Sequence, residues 1–168
     1  MSSTSSPRYV NVGGSMVAKP INVRSSGGLW KPVQNVTAMF YLTPASGTYT
    51  NGSSLTVMLR ENSLTTPVNS LQANLIYDAA KLQFVSSDAT ASPFTTSLQN
   101  SGGSGTVQIG LVNLSGSSTG DQLVSTLTFT VIGTGVTIIA FAAGSGIARA
   151  SDSTNVCSQS LGGTYTLT

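Results

Sequence analysis

The residues able to do chemistry in this chain are few and scattered. Its 168 residues include one cysteine and no histidine. Without histidine the chain lacks the usual base at neutral pH, the base of a catalytic triad and the commonest metal ligand. Cys157 therefore has no imidazole to activate it, and it has no partner for an internal disulfide. We expect it to be a small buried apolar side chain.

Five carboxylates are the remaining candidates for catalysis or metal binding. A hydrolase acting on sugars would need two of them within about a nanometre in one cleft, and none is adjacent to another in sequence. Asp78 and Asp121 each lie at the boundary of a predicted strand, where forming a turn explains them. Calcium usually needs clustered acids, and here they are dispersed. The sequence therefore predicts a protein that is not an enzyme, with no catalytic residue, metal or other cofactor.

Charge is low and unevenly distributed. Charged residues make up 7% of the chain and the net charge is +2, which is too small to predict nucleic-acid binding by electrostatics alone. Before Asn51 there are four cations and no acid, whereas the remainder holds three cations and five acids. A basic arm could thus lie across the mildly acidic body of a neighbouring subunit. Chance clustering of so few charges is the alternative.

From residue 36 onward, short runs of alternating apolar and polar residues are separated by turn clusters, the pattern of β-strands. The 18 glycines favour many turns, and no segment has a helical period. About nine strands are predicted, which indicates an all-β sandwich of jelly-roll or immunoglobulin-like type. Shorter apolar pieces occur at Phe94 and Leu98, and a turn is predicted over residues 101–105. The predicted strands centre on residues 37–42, 55–59, 71–77, 82–84, 107–111, 123–131, 136–140, 147–149 and 164–167.

Residues 1–36 differ from this body, because they have no sustained periodicity. Pro7, Pro20 and Pro32 interrupt them, and the short apolar pieces are spaced like anchors. We expect an extended arm that is disordered in isolation and is held by a neighbouring molecule. Trp30, the sole tryptophan, would be its hot spot, unless it folds back onto its own sandwich. The predicted partner-binding residues of the arm are Arg8, Tyr9, Lys19, Arg24, Leu29, Trp30 and Lys31.

Neither a signal peptide nor a membrane span is visible in the sequence. Residues 2–7 consist of Ser, Thr and Pro and contain no apolar segment. The longest apolar stretch, Val136 to Ala143, has the length of a strand, so we expect no membrane insertion. If Met1 is the natural start, the sequence predicts synthesis in a cytoplasm without the usual export. A chain whose leader has been removed would look the same.

Several segments follow one another in a recognisable order: 42–49, 55–59, 68–78, 81–84, 120–129 and 163–167. The stretch 75–84, a strand, Tyr77-Asp78, a turn and another strand, is the most characteristic. In this order they resemble the cohesin and carbohydrate-binding-module superfamily of bacterial β-sandwiches, over residues 39–168. The resemblance implies a cohesin-like jelly roll of about nine strands and a non-catalytic binding role. Cohesins of cellulosomes bind dockerins through one sheet face, and relatives bind polysaccharide or serve as structural modules.

The arm lies outside this family pattern, and no distinctive contact motif is visible on a sheet face, which favours assembly over ordinary dockerin binding. With residues 1–36 as arm and 37–168 as sandwich, we expect a structural subunit of a large assembly. A virion decoration or minor structural protein, or a surface filament or layer, would fit. The alternative is a cohesin-like cell-surface adhesion or carbohydrate-binding module. The expected partners are copies of the chain or other protein subunits, with polysaccharide as the alternative, at a virion or cell surface.

Overall fold

The computed structural model describes residues 37–168 in full and, within residues 1–36, the backbone of four short strands. Of these four, β1 pairs antiparallel with β2, and β3 pairs antiparallel with β4. The chain divides into two compact units, residues 1–35 and 36–168. The bounds of the four strands are β1 (Tyr9–Val12), β2 (Ser15–Ala18), β3 (Asn22–Arg24) and β4 (Trp30–Pro32).

Twelve strands build the second unit and form two sheets. Their bounds are β5 (Ala38–Thr43), β6 (Ser46–Tyr49), β7 (Ser54–Asn62), β8 (Val68–Tyr77), β9 (Leu82–Asp88), β10 (Thr96–Gly103), β11 (Thr106–Val112), β12 (Asp121–Val131), β13 (Gly135–Phe141), β14 (Gly146–Arg149), β15 (Cys157–Leu161) and β16 (Gly163–Leu167). The larger sheet has the order β10-β11-β8-β13-β16-β6, with β14 also paired to β8. The smaller sheet has the order β15-β5-β7-β12-β9. Over the described part of the chain, no helix has the length and apolar character needed to cross a membrane.

Strict alternation of side chains explains why these segments are strands with one buried face. In β7, Leu55, Val57 and Leu59 are buried, whereas the residues between them are exposed or half-buried. Successive side chains of a strand point to opposite faces, so this pattern places one face of each sheet in a shared core. Aromatic rings fill much of that core: Phe129 packs edge-to-face with both Tyr77 and Phe84, at centroid distances of 5.1 and 5.6 Å. Burying one such ring contributes about 1.5–3 kcal/mol.

Two stretches of chain pass from one sheet to the other and close one side of the sandwich. The first runs from β5 in the smaller sheet to β6 in the larger, and the second runs from β15 to β16 in the same way. They lie side by side and parallel in both sheets. At the bend, the Tyr165 hydroxyl donates to the Pro44 carbonyl at 2.8 Å. A Cβ on Gly163 would collide with that hydroxyl, so the close approach requires glycine.

The all-β sandwich expected from the sequence is confirmed, and each of the nine predicted strands corresponds to one observed. The three additional strands, β6, β10 and β15, are rich in Ser, Gly, Gln and Asn and have little apolar alternation. The turn predicted over residues 101–105 is too wide. Strand β10 continues to Gly103, and only Ser104 and Gly105 form the connection, with φ of 50° and 88°.

Candidate functional site

The larger sheet is almost free of charge. Its seven strands contain one charged residue, Arg149, whose guanidinium binds Asp152 at 3.1 Å. The five strands of the smaller sheet contain four charged residues: Arg60, Glu61, Asp88 and Asp121. Depletion of charge is a property of the centres of protein interfaces. The outer face of the larger sheet is therefore the first candidate for a binding surface.

A chain of amide side chains crosses this outer face. Gln72 on β8 donates to Asn74 at 2.8 Å and to Gln99 on β10 at 3.1 Å. Gln99 in turn donates to Gln108 on β11 at 2.7 Å. Gly110 lies between Gln72 and Gln99 in the register, and a Cβ there would approach the Gln72 Oε1 atom to 2.6 Å. Glycine at this position thus lets the two amides meet over the backbone.

Beside the amides lies a cluster of exposed aliphatic side chains. Ile76 on β8 and Val136 and Ile138 on β13 are 47%, 59% and 55% exposed. Ala140 is paired with Ile76 in the sheet, and a shallow depression of about 200 Å³ lies over Ile76, Ile138 and Ala140. Contiguous apolar exposure of this kind marks sites of interaction more often than isolated exposed residues do.

An open groove of about 490 Å³ lies on the same face, above β8, β11 and β14. Its lining includes the small residues Ser70, Gly110, Gly146 and Ala148. Leu98, which is 74% exposed, also lines it, because the register between β10 and β11 shifts at this residue. Such a bulge turns one side chain away from its normal alternation. The outer face therefore combines amides, an aliphatic cluster and a groove with an apolar edge.

The outer face of the smaller sheet carries a compact polar network instead. Arg60 Nε donates to the Tyr41 hydroxyl at 3.1 Å and to Asp121 at 3.0 Å, and Tyr41 donates to Asp121 at 2.7 Å. Partial burial and the bond to Asp121 raise the pKa of Tyr41. Partial burial acts to raise the pKa of Asp121, but the bonds from Tyr41 and Arg60 outweigh it and lower that pKa. Asp121 is thus held ionised in an ion pair with Arg60. A carboxylate held in this way is suited to stabilising the fold and poorly suited to transferring a proton in catalysis.

Asp78 takes the turn role expected from the sequence, whereas Asp121, for which a turn was also expected, lies in the ion pair with Arg60 instead. Asp78 accepts from the Ala80 amide at 3.0 Å, as predicted for a turn-forming residue. Among residues 37–168, no three His, Cys, Asp or Glu side chains lie together in a way that could hold a metal ion. Cys157 is only half-buried, because it lies on β15 at the edge of the smaller sheet. The expectation that Cys157 is buried is therefore wrong, because part of its side chain is exposed.

Glu61 has no role assigned from the sequence, and it is the chain's most unusual acid. It lies in β7 with none of its surface exposed, and burial raises its pKa to about 7. A signal for it exists in the sequence, since the inward alternation of Leu55, Val57 and Leu59 reaches residue 61 if the strand is extended by one step. A carboxyl at an inward position is the exception to that pattern.

The predicted partner-binding residues of the arm are not tested by this structure. Arg8, Lys19 and Leu29 lie outside the described residues. The backbone positions of the other four fall in short strands, Tyr9 in β1, Arg24 in β3 and Trp30 and Lys31 in β4, and their side chains are outside the described part. The role of all seven remains a prediction.

Comparison with known proteins agrees with the architecture. The third ScaB cohesin of R. flavefaciens, solved in complex with a group 1 dockerin, superposes with a TM-score of 0.66 at 17% identity, covering 82% of this chain and 99% of that one. The seventh ScaB type I cohesin from Pseudobacteroides cellulosolvens gives 0.66 at 16% identity, covering 78% and 92%. A non-cellulosomal cohesin from the archaeon Archaeoglobus fulgidus gives 0.63 at 16% identity, covering 79% and 91%. At such identities the likeness shows the fold alone, which confirms the cohesin-like jelly roll.

Among curated proteins, no sequence matches this one. The sequence model of the cohesin domain family, in contrast, matches residues 42–160, which is well over half of the chain. The match includes most strands of both sheets and leaves the first 41 residues outside. This chain belongs to the cohesin domain family.

Proposed function

We propose that this chain is a non-catalytic docking module that binds a protein partner through the outer face of its larger sheet. The observation that carries the proposal is the near absence of charged residues from the strands of that sheet, together with the exposed Ile76, Val136 and Ile138. Relatives support a protein partner, since cohesins of R. flavefaciens and Clostridium thermocellum have been solved in complexes with dockerins.

The physical chemistry of the face suits a protein better than a polysaccharide. Stable interfaces bury about 800 Å² on each partner, around an apolar centre with a polar surround. The aliphatic cluster supplies such a centre, and the Gln72, Gln99 and Gln108 amides supply donors and acceptors that fix orientation. Among the described residues, every large hydrophobic side chain that is exposed is aliphatic or methionine, so no exposed aromatic platform is available for a sugar ring.

We further propose that the module works within a larger assembly at a cell surface, with arm residues 1–36 docking on neighbouring subunits. The arm supports this through its four cations, its tryptophan and its position outside the family match. A virion is the alternative location for such a subunit.

The docking face is tested with a charge placed at its apolar centre. Proteins secreted by the source organism are passed over immobilised wild-type chain, and any captured protein is then purified and titrated by calorimetry. Ile138→Lys should abolish capture and binding, whereas the matched Thr128→Lys, on the smaller sheet, should leave both intact. Equal binding by both variants, or selective binding of soluble polysaccharide in affinity gels, would contradict the proposal.

The assembly part of the proposal has its own experiment. Mass in solution is measured by light scattering for the full chain and for residues 37–168, after circular dichroism has shown that both are folded. The full chain should self-associate with rising concentration and the shorter chain should not. Monomers in both cases, with an arm that proteases remove readily from the native material, would refute the role of the arm.

A further inference from the structure

Glu61 occupies a position in the core that the docking function does not require. Strand β7 places it inward, opposite Phe40 on β5 and opposite Gln122 on β12. Phe40 itself stacks on Phe141 of the larger sheet, so the carboxyl lies beside an aromatic part of the core. None of the Glu61 surface is exposed to solvent.

The oxygen atoms around this carboxyl lack partners. Within residues 37–168, neither oxygen of Glu61 makes a hydrogen bond, and the buried hydroxyl of Ser63 makes none either. The Ser63 hydroxyl lies close enough to favour the ionised form of Glu61, without forming a hydrogen bond of ordinary geometry. Buried polar atoms of native proteins are nearly always satisfied by protein or by ordered water. Three such atoms in one place therefore mean that no donor among the described residues is in place for an ionised carboxylate here.

No cation among the described residues is placed to neutralise Glu61. Arg60, its neighbour in β7, points to the opposite face of the sheet and is bound to Asp121. Asp121, on β12, is negative and opposes ionisation of Glu61. Strand β5 has no acidic or basic residue, and Arg149, the one charged residue in the strands of the larger sheet, is bound to Asp152. An uncompensated buried charge is costly, so the neutral acid is the favoured form.

We propose that Glu61 and Ser63 form a proton-controlled site inside the sandwich, which is closed while the Glu61 carboxyl carries its proton and which admits water when that proton is lost. Water enters by the turn that follows β7. This turn is held by the Ser63 amide to the Gly120 carbonyl at 3.0 Å and by the Gly120 amide to the Leu64 carbonyl at 2.7 Å. The proton passes to solvent, and the carboxylate then recruits water donors that the closed site does not supply.

The direction of the pH dependence follows from the pKa. Burial raises the pKa of folded Glu61 from an ordinary 4.5 to about 7, so the folded state holds this proton more tightly than the unfolded chain does. The stability that Glu61 confers is therefore fully present below about pH 4.5 and is lost as the pH rises through about 7. The chain should thus be most stable in mild acid.

The direct test uses the full chain, as wild type and with Ser63→Ala. The carbon resonance of the Glu61 carboxyl is followed by NMR from pH 4 to pH 9. A midpoint close to 7 is expected, and Ser63→Ala should raise it because the hydroxyl favours the ionised form. A wild-type midpoint at the ordinary value of a glutamate would overturn the proposal.

The second test measures the energetic consequence. Urea unfolding at pH 5 and pH 8 should give wild-type unfolding constants that differ by roughly fiftyfold to a hundredfold through this group. Glu61→Gln and Glu61→Leu should both remove that factor, whereas Asp88→Asn, which deletes an exposed carboxylate, should retain it. If the folded Glu61 variants keep the wild-type dependence, the site is not its cause.

A third measurement distinguishes local opening from general weakening. Hydrogen exchange of the Ser63 and Gly120 amides, corrected for intrinsic base catalysis, should accelerate between pH 5 and pH 8. The Ala142 amide, which is bonded to the Asn74 carbonyl at 2.8 Å, is the control and should accelerate no more than the general loss of stability requires. Equal acceleration at all three amides would exclude a local gate.

Discussion

Phe40 and Phe141 stack nearly parallel across the two sheets, with ring centroids 5.4 Å apart and planes inclined by 13°. This contact joins β5 of the smaller sheet to β13 of the larger one. Phe40 is fully buried, so its ring links the sheets inside the core. Phe40→Ala should reduce the free energy of unfolding by about 3–5 kcal/mol, since it leaves a cavity that the rigid sheets cannot fill. Met39→Ala, at the adjacent outward position, is the control and should have a much smaller effect in urea unfolding.

Gly163 should be intolerant of any side chain. A Cβ at this position would meet the Tyr165 ring and hydroxyl at the bend between β15 and β16. Gly163→Ala should destabilise the fold by about 1–3 kcal/mol, as overpacking does elsewhere. Gly116→Ala is the matched control, because no atom lies within 4 Å of the place its methyl group would take, and it should unfold at nearly the wild-type urea concentration. Equal midpoints for the two variants would contradict the steric explanation.

The edge of the groove should contribute to docking without contributing to folding. Leu98 is 74% exposed, so Leu98→Ser should leave thermal unfolding almost unchanged. Binding of the captured partner, measured by calorimetry, should weaken about tenfold, as expected for a peripheral apolar contact. Leu114→Ser is the control, because Leu114 is 75% exposed and does not line the groove. A weakening by both variants alike would place the partner elsewhere.

Tyr41 should set the titration of its neighbour Asp121. The Tyr41 hydroxyl donates to the Asp121 carboxylate at 2.7 Å and helps to lower the pKa of that carboxyl. Tyr41→Phe should therefore raise the pKa of Asp121 toward its ordinary range, which NMR titration of the carboxyl would detect. When folding lowers the pKa of a carboxyl group, the group stabilises the folded state at pH values above its pKa in the unfolded chain. This stabilisation is lost as the pH falls through the lower pKa of the folded state. The variant should accordingly show a weaker dependence of stability on pH in acid, and an unchanged titration of Asp121 would refute the assignment.

Most of the sandwich could be predicted from alternation alone, because strands with one buried face repeat their apolar residues at every second position. Strand β10 could not, since its sequence Thr-Ser-Leu-Gln-Asn-Ser-Gly-Gly has one apolar residue and a bulge that turns it outward. Its pairing with β11 depends on contacts with the rest of the sheet, and the local sequence does not reveal these contacts.

The candidate face is harder to anticipate than the fold. Gln72, Gln99 and Gln108 are distant in sequence and meet only through the register of β8, β10 and β11. Glu61 is missed for a different reason: the inward alternation of its strand does reach residue 61, but a charged residue ordinarily marks a surface, so the inward pattern is taken to end at Leu59. The structural role of Asp78 is predictable, because a turn-forming aspartate acts on its own neighbours.

The paired stretches β5–β6 and β15–β16 also determine how the sandwich would respond to force. Because they run parallel, Ala38 at the start of one and Leu167 at the end of the other lie at opposite ends of the pair. Tension applied between these two residues would slide the strands along each other, so that the ladder hydrogen bonds resist together instead of opening one by one.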